Sequence, residues 1–210
     1  MRSSYKIRSP SDRQEFLEVI SRIENVYSSH RDHRTRIQGA YPDILLLVEQ
    51  ETKIVGAGGI FLAKDEGLFL TEEFFGIDLR LRFRREELCE FGRVVSFENS
   101  GSLLKVLVFA LVTCALSEKK KAAICCTKPR LAAALERTGL PIERFAGSVI
   151  AEKVPEDYRG FFLSDNPPVP FLIEFNEKTL RAINDLSPDL RAPDHFTPGA
   201  RFLLDQSGGP

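Results

Sequence analysis

The chain has almost no net charge, no tryptophan and no long hydrophobic run. Its 29 basic and 30 acidic residues leave a formal charge of −1. This balance argues against a general nucleic-acid-binding protein, because such proteins are usually strongly basic. The longest apolar run, residues 106–116, is too short to span a bilayer, and the polar N-terminus lacks the apolar core of a secretion signal. We therefore expect a cytoplasmic protein with no transmembrane segment and no nucleic-acid partner.

Histidine and cysteine are also scarce, and neither is spaced for metal binding. The histidines are His30, His33 and His195. The cysteines are Cys89, Cys114, Cys125 and Cys126. Each cysteine lies in an apolar stretch, so buried free thiols and a reducing compartment are expected. The sequence predicts no metal site and no bound cofactor.

The apolar residues alternate between helical and strand-like spacing along the chain. Helices are predicted at 10–29, 103–118, 130–138 and 177–186, with Thr71 as the cap of another. Strands are predicted at 44–49, 54–62, 86–97, 122–127, 144–152 and 169–175, and an irregular stretch at 154–168. Strands that alternate with helices indicate a sheet with a parallel pair and crossover helices.

The domain organisation follows from the same pattern. Residues 1–175 are predicted to form one domain, and residues 176–210 a C-terminal extension. The extension either packs on the domain or exchanges with a neighbouring subunit, which leaves a homodimer open.

The most informative segment is 88–105, in which Glu90 and Arg93 precede a turn and a long helix. In a regular strand these two side chains point to opposite faces, and a bulge at Gly92 would change this. A carboxylate beside a cleft takes a proton from an attacking amine. The first N–H groups of the helix offer hydrogen bonds to a phosphate. The simpler alternative is a buried salt bridge in an ordinary strand–turn–helix unit.

This arrangement of Glu90, Arg93, turn and helix resembles the autoinducer (acyl-homoserine-lactone) synthases and the N-acyl amino acid synthases. A closer resemblance, over about residues 20–175, is to the thermostable hemolysin family, in which Asn or another residue more often stands in place of Arg93. The stretches that carry it are YPDIL at 41–45, GLFLTEEFF at 67–75, EFGR at 90–93, TKPRL at 127–131 and LERTGL at 135–140.

The resemblance implies a GNAT-like α/β fold, a three-layer α/β/α arrangement with a mixed, splayed central sheet. It also implies transfer of a fatty acyl group from an acyl thioester, on acyl carrier protein or CoA, to an amine such as an amino acid. Glu90 and Arg93 correspond to the catalytic acid and the basic residue. The expected acyl-donor contacts are Val94, Val95, Ser96, Gly101, Ser102 and Thr127. The expected acceptor contacts are Tyr41 and Asp43; the alternative for Asp43 is a turn residue after proline, and for Ser102 a helix cap.

Two departures from these families restrict the expected product and the expected acyl donor. The autoinducer synthases close over their amino substrate with an N-terminal Arg, Phe and Trp pattern, and this chain has no Trp, which argues against lactone production. The acetyl-CoA signature Gln/Arg-x-x-Gly-x-Gly/Ala is absent around residues 96–104, which favours another donor such as acyl carrier protein.

Two further alternatives stay open at this point. Arg80, Arg82, Arg84 and Arg85 are either a solvated face or a docking surface for acidic acyl carrier protein. The fold itself either catalyses acyl transfer or persists as a non-catalytic binding or assembly subunit that holds an acyl chain or a partner protein. Closed, fully hydrogen-bonded strands at residues 96 and 127 would exclude an acyl cleft.

Overall fold

Polar turns divide the chain into strands that form one mixed sheet. The computed structural model describes residues 5–29, 41–63, 67–98, 101–186 and 196–197. The strands are β1 (Tyr5–Arg8), β2 (Ile44–Gln50), β3 (Lys53–Leu62), β4 (Leu88–Ser96), β5 (Ala122–Thr127), β6 (Glu143–Arg144), β7 (Val169–Glu174) and β8 (Phe196–Thr197). Their order in the sheet is β6-β7-β5-β4-β3-β2-β1-β8. Among these neighbours, β4–β5 and β1–β8 are parallel and the other pairs are antiparallel.

Six α-helices lie in the described ranges. They are α1 (Arg13–Ser29), α2 (Leu70–Phe75), α3 (Gly101–Ser117), α4 (Pro129–Arg137), α5 (Glu156–Phe162) and α6 (Glu177–Leu186). Local signals explain several of their starts. The Asp12 carboxylate accepts the Glu15 N–H at 2.8 Å and so caps α1, and Pro129 occupies the first position of α4, where its missing N–H has no consequence.

Helices cover both faces of the sheet, which confirms the predicted three-layer α/β/α fold with a mixed sheet. Side chains alternate between the faces along each strand. Leu46 and Cys125 contact the α3 side, whereas Leu45 contacts α1 and Ile124 contacts the segment around α2 on the opposite side. The helix α3 is apolar on nearly all its sides, since the sheet covers one side of it and α6 contacts another.

The parallel strands β4 and β5 separate before they end. They pair from Leu88 and Ala122 as far as Phe91 and Cys125. Beyond this point β4 continues to Ser96 against β3, and β5 continues to Thr127 against β7. The predicted splay is therefore present, because the facing edges of residues 92–96 and 126–127 share no hydrogen-bond ladder.

The prediction of a strand at 144–152 is wrong for most of its length. The strand β6 covers Glu143–Arg144 alone, and a 3₁₀ turn covers Ala151–Lys153. Between them the Ile150 N–H donates to the Phe74 carbonyl at 2.7 Å. This segment therefore bonds to the end of α2 instead of continuing along the edge of β7.

Two other local predictions are corrected by the structure. The stretch 154–168, predicted to be irregular, contains α5, with Pro155 at its N-cap and two acidic residues in its first turn. Thr71 is not the cap of α2, because Phe69 holds the N-cap position and Thr71 lies inside the helix. The strand β1, which pairs with β2, was not predicted.

The described part of the C-terminal extension packs on the rest of the chain. Ile183 of α6 joins the core beside α3, and Phe196 of β8 pairs with Ile7 of β1. The division at residue 175 and the homodimer stay predictions. As for membranes, no helix within the described ranges combines the length and the apolarity that a bilayer crossing requires.

A buried ion pair fixes the entry to α2. Glu72 is fully buried, and its carboxylate accepts Nη1 of Arg85 at 2.7 Å. The same carboxylate accepts the N–H groups of Phe69 at 3.0 Å and Leu79 at 3.1 Å. Arg85 in turn donates to the Gly67 carbonyl at 2.7 Å. One carboxylate therefore joins the start of α2, the chain after it and the segment that leads into β4.

We predict that Arg85→Met lowers the free energy of unfolding by about 3–5 kcal/mol, because it leaves the Glu72 carboxylate buried without its partner. Urea denaturation measures this change. Arg144→Met is the matched control, since it breaks the exposed pair with Glu136, and it should change stability far less. Equal losses in the two variants would contradict the role assigned to the Glu72–Arg85 pair.

Candidate active site

Glu90 lies where β4 and β5 begin to separate, on the face that α2 covers. Its Oε1 accepts the Thr71 N–H at 3.0 Å and the Thr71 hydroxyl, and its Oε2 accepts the Leu70 N–H at 3.2 Å. These are N–H groups of the first turn of α2, which have no partner within the helix. The Glu90 carboxylate thus lies against the positive end of α2 and does not form the buried salt bridge of the simpler alternative.

The environment of Glu90 suits a proton acceptor at neutral pH. Burial raises the pKa of its carboxyl to about 7, while the hydrogen bonds from Thr71 and Leu70 act in the opposite direction and the nearby Glu72 charge adds to the rise. Glu90 is 8% exposed, so desolvation is the dominant effect. A carboxyl with a pKa near the working pH is well matched to general base catalysis.

Cys126 of β5 lies on the same face and close to Glu90. Burial raises the pKa of its thiol to about 12, with the Glu90 charge adding to the rise and a hydrogen bond with Thr71 opposing it. A thiol with so high a pKa is almost entirely protonated at pH 7 and is a poor nucleophile. This argues against a covalent acyl-cysteine step at this position.

A β-bulge in β4 follows Glu90 directly. Ala57 pairs with Val95 and Gly59 pairs with Gly92, so two residues of β4 stand opposite Gly58 of β3. These two residues are Arg93 and Val94, one more than β3 has at this point, and Arg93 has a φ of 57°. A left-handed conformation at a non-glycine residue costs about 1–3 kcal/mol and is frequent at functional sites. The sequence left open a bulge at Gly92, and the structure has one directly after that residue.

The bulge brings Arg93 onto the side of β4 where Tyr27 and Tyr158 lie. Burial raises the pKa of the Tyr158 phenol; the charge of Arg93 and a hydrogen bond with it oppose that rise, and the Glu90 charge adds to it. Burial also raises the pKa of Tyr27 to about 12, again opposed by the Arg93 charge. The Tyr27 hydroxyl lies 3.5 Å from the Val94 carbonyl, to which it donates. Glu90, Arg93 and the two phenols therefore form one cluster.

The helix α5 covers this cluster, and Lys128 fixes the chain after α5. The Lys128 ammonium donates to the Phe161 carbonyl, the Ser164 hydroxyl and the Asn166 carbonyl, each at 2.8 Å, and lies 4.5 Å from the centre of the Phe161 ring. Phe161 also contacts Tyr27 edge to face, at 6.5 Å between ring centres. The end of β5 and the cover of the site are thus held together.

The residues expected to contact the acyl donor follow the two diverging edges. On β4, Val94 is half-buried, Val95 packs against α1, and exposed Ser96 donates its hydroxyl to the Glu98 carbonyl. On β5, Thr127 is the last residue and pairs with Val169. Gly101 begins α3, and the side chain of Ser102 lies outside the described residues. Their donor contacts stay predictions.

The two expected acceptor residues lie on the far side of β3 from Glu90. The Asp43 carboxylate accepts the Leu62 N–H at 2.8 Å, next to the start of β2. The exposed ring of Tyr41 packs edge to face on Phe16 of α1, with 5.8 Å between ring centres. The structure does not place either beside Glu90 or Arg93, so their acceptor role also stays a prediction.

The arginine cluster at 80–85 is occupied by ion pairs. Arg80 contacts Asp78 at 2.6 Å, Arg82 contacts Glu143 at 2.8 Å, and Arg84 contacts Glu87 at 3.0 Å. Arg85 is buried against Glu72. Because the positive charges are neutralised locally, this segment is a weak candidate for docking an acidic carrier protein.

Sequence reasoning missed several members of the site. These are Tyr27, Leu70, Thr71, Cys126, Lys128 and Tyr158. Tyr27 was hidden among the polar residues at the end of α1, and Tyr158 lies in the stretch expected to be irregular. His30, His33 and His195 lie outside the described residues. Within the described residues there is no cluster of side chains that could hold a metal ion.

We predict that Glu90 makes stability fall as pH rises from 5 to 8. A carboxyl with a pKa of about 7 when folded and near 4.5 when unfolded binds more protons in the native state between these values, so stability falls over this interval and the loss is complete above pH 7. The expected loss is about 3 kcal/mol. Urea unfolding of the wild type and Glu90→Gln at each pH measures it, since glutamine does not titrate.

The difference in unfolding free energy between the two proteins should therefore shift in favour of Glu90→Gln as pH increases. Parallel stability curves over this range would show that the pKa of Glu90 is not raised. If the variant does not fold, the ¹³C carboxyl shift of Glu90 in the wild type gives the pKa directly.

Comparison with solved structures shows that other proteins share this fold. The structure is similar to that of the AHL (acyl-homoserine-lactone) synthase LasI, with a TM-score of 0.63, 14% identity and coverage of 88% of this chain and 96% of that one. It is similar to FeeM, an N-acyl amino acid synthase from uncultured soil microbes, with a TM-score of 0.63, 14% identity and coverage of 86% and 98%.

A third similar structure is MesI, a CoA-dependent acyl-homoserine lactone synthase, with a TM-score of 0.55, 14% identity and coverage of 94% of this chain and 98% of that one. At these identities the similarity is one of fold, and the fold is GNAT-like. No curated protein sequence matches the chain.

The family assignment comes from the sequence itself. The sequence profile described as thermostable hemolysin matches residues 9–161, a range that runs from just before α1 into α5 and contains Glu90, Arg93 and Tyr158. The chain belongs to the thermostable hemolysin family.

Proposed function

We propose that this protein is an N-acyltransferase that moves a fatty acyl group from an acyl thioester to an amine, such as that of an amino acid. The observation that carries the proposal is the position of Glu90, whose carboxyl has a pKa of about 7, at the point where β4 and β5 part. The GNAT-like fold supports an acyltransferase in general.

The acyl thioester would lie between the diverging edges of β4 and β5. The N–H groups along the β4 edge after Phe91 have no ladder partner on β5. Such groups are available to donate to the thioester carbonyl, and their donation strengthens as the carbonyl oxygen gains charge during attack. The phosphopantetheine arm would leave the site past Ser96 and Thr127, the last residues of the two strands.

The acyl chain would lie among the aromatic side chains between α2 and α5. Phe74, Phe75 and Phe162 form a cluster there, with Cys126 and Tyr158 at its edge. Apolar surface of this kind suits a fatty acyl chain.

In the proposed reaction the amine nitrogen attacks the thioester carbonyl, a C–N bond forms and the C–S bond breaks. Glu90 takes the proton that the amine loses, directly or through water, and the carrier leaves as a thiolate that is then protonated by Glu90 or by water. The donor is either acyl carrier protein or CoA, and the absence of the acetyl-CoA signature around residues 96–104 favours the carrier protein.

Incubation of the purified protein with fatty acyl carrier protein or fatty acyl-CoA and a pool of amino acids should produce N-acyl species, detected by mass spectrometry. Glu90→Gln should reduce the rate by about 10²–10⁴-fold, because it removes the general base. Glu136→Gln, an exposed glutamate of α4, is the matched control and should keep wild-type activity. Tight acyl binding without product from either donor would instead favour the non-catalytic binding subunit.

The pH dependence of the reaction gives a separate prediction. Glu90 accepts a proton only when it is ionised, so the ratio of wild-type to Glu90→Gln kcat/KM should rise with pH to a plateau, with an apparent pKa of about 7. The ratio removes the titration of the amine itself, which affects both proteins equally. A ratio that is constant between pH 5 and 9 would contradict a base role for Glu90.

A further inference from the structure

Arg93 is a half-buried cation that has no acidic partner in the part of the chain that the structure describes. Among the described residues no carboxylate lies within ion-pair distance of its guanidinium, whereas Arg8, Arg82 and Arg85 each bind one or two glutamates at such distances. A guanidinium that has been partly removed from water is stabilised by an anion, and a carboxylate matches its planar fork of donors.

The bulge gives this cation its position relative to Glu90. Without the one extra residue opposite Gly58, Arg93 would point to the face opposite Glu90. With it, Arg93 lies close enough to Tyr158 to lower the pKa of that phenol, while the nearby Glu90 charge raises it. Glu90 and Arg93 therefore both lie near the Tyr158 phenol.

The backbone at Arg93 strengthens this interpretation. Its φ of 57° lies in the left-handed region, where asparagine is far more common than arginine. An arginine therefore occupies a strained position that a smaller residue fills more easily. Backbone strain of this kind is found most often at catalytic and ligand-binding residues.

We infer that the acceptor is an amino acid and that Arg93 binds its carboxylate while its amine faces Glu90. This inference rests on the proposed function and names the acceptor class. Two contacts, one to the carboxylate and one to the amine, fix the orientation of the acceptor before attack.

Tyr158 is a positioning residue in this arrangement. The charge of Arg93 and a hydrogen bond with it lower the pKa of its phenol, and its ring packs edge to face on Phe74 at 5.9 Å between ring centres. The ring contact fixes the phenol on α5, and the hydrogen bond holds the guanidinium. Loss of the hydroxyl should weaken acceptor binding without changing the groups that carry out the reaction.

The test compares each amino acid with its own carboxamide as acceptor, using acyl carrier protein and CoA donors. The carboxamide keeps the amine and side chain and lacks the negative charge. The wild type should prefer the amino acid by roughly 10- to 100-fold in kcat/KM, the range of a hydrogen bond between charged groups. Arg93→Asn should abolish this preference while relieving the backbone strain, so that folding is retained.

One control and one further variant separate recognition of the acceptor carboxylate from a general effect on the structure. Arg181→Asn removes an exposed arginine of α6 and should leave the preference unchanged. Tyr158→Phe should raise KM for the amino acid several-fold and leave kcat nearly constant, roughly the loss of one hydrogen bond; a fall in kcat with unchanged KM would overturn its positioning role.

Different results would overturn the acceptor assignment and the acyltransferase activity. Carboxamides acylated as efficiently as amino acids, or an unchanged preference in Arg93→Asn, would overturn the acceptor assignment and leave the acyltransferase standing. No acylation of any amine from either donor would overturn the acyltransferase and this inference with it.

Discussion

β4 and β5 run parallel and share a ladder from Leu88 to Phe91, and beyond that point each strand keeps only its outer neighbour. Parallel strands require a crossover, and the apolar helix α3 provides it beneath the sheet. The edges that part at Gly92 and Cys126 are therefore fixed in place by β3, β7 and α3. A gap between backbone edges in the middle of a sheet leaves hydrogen-bonding groups without partners, which is a property of a site for a ligand.

The chemistry of the site depends on two carboxylates near the start of α2 that have different surroundings. Glu72 is fully buried and paired with Arg85, so its charge is compensated. Glu90 accepts N–H and hydroxyl groups of α2, and burial raises its pKa. The first carboxylate stabilises the fold, and the second is suited to gain and lose a proton. Arg93, which is three residues away, does not neutralise Glu90, because the bulge turns it toward Tyr158.

Much of the fold was predictable from local signals, whereas the site was predictable only in outline. Sequence pattern predicts the helices α1, α3, α4 and α6 and the strands β2 to β5 and β7.

The prediction of a strand at 144–152 was wrong because Ile150 bonds to Phe74, a contact between distant segments. The spacing of Glu90 and Arg93 was visible, whereas the bulge at Arg93 and Val94 depends on the pairing of β4 with β3, which the local sequence does not reveal. Tyr27 and Tyr158 reach the site from elements far away in the chain, so nothing local indicates their role.

The central claim is that the splay between β4 and β5 holds an acyl thioester with its carbonyl on β4. A crystal structure with a non-cleavable acyl-pantetheine analogue, in which a methylene group replaces the thioester sulfur, tests this directly. We expect the carbonyl oxygen within hydrogen-bonding distance of an N–H between Gly92 and Ser96, the pantetheine between Ser96 and Thr127, and the acyl chain beside Phe74 and Phe162. An analogue bound elsewhere on the protein, with β4 and β5 unoccupied between these residues, would contradict the account.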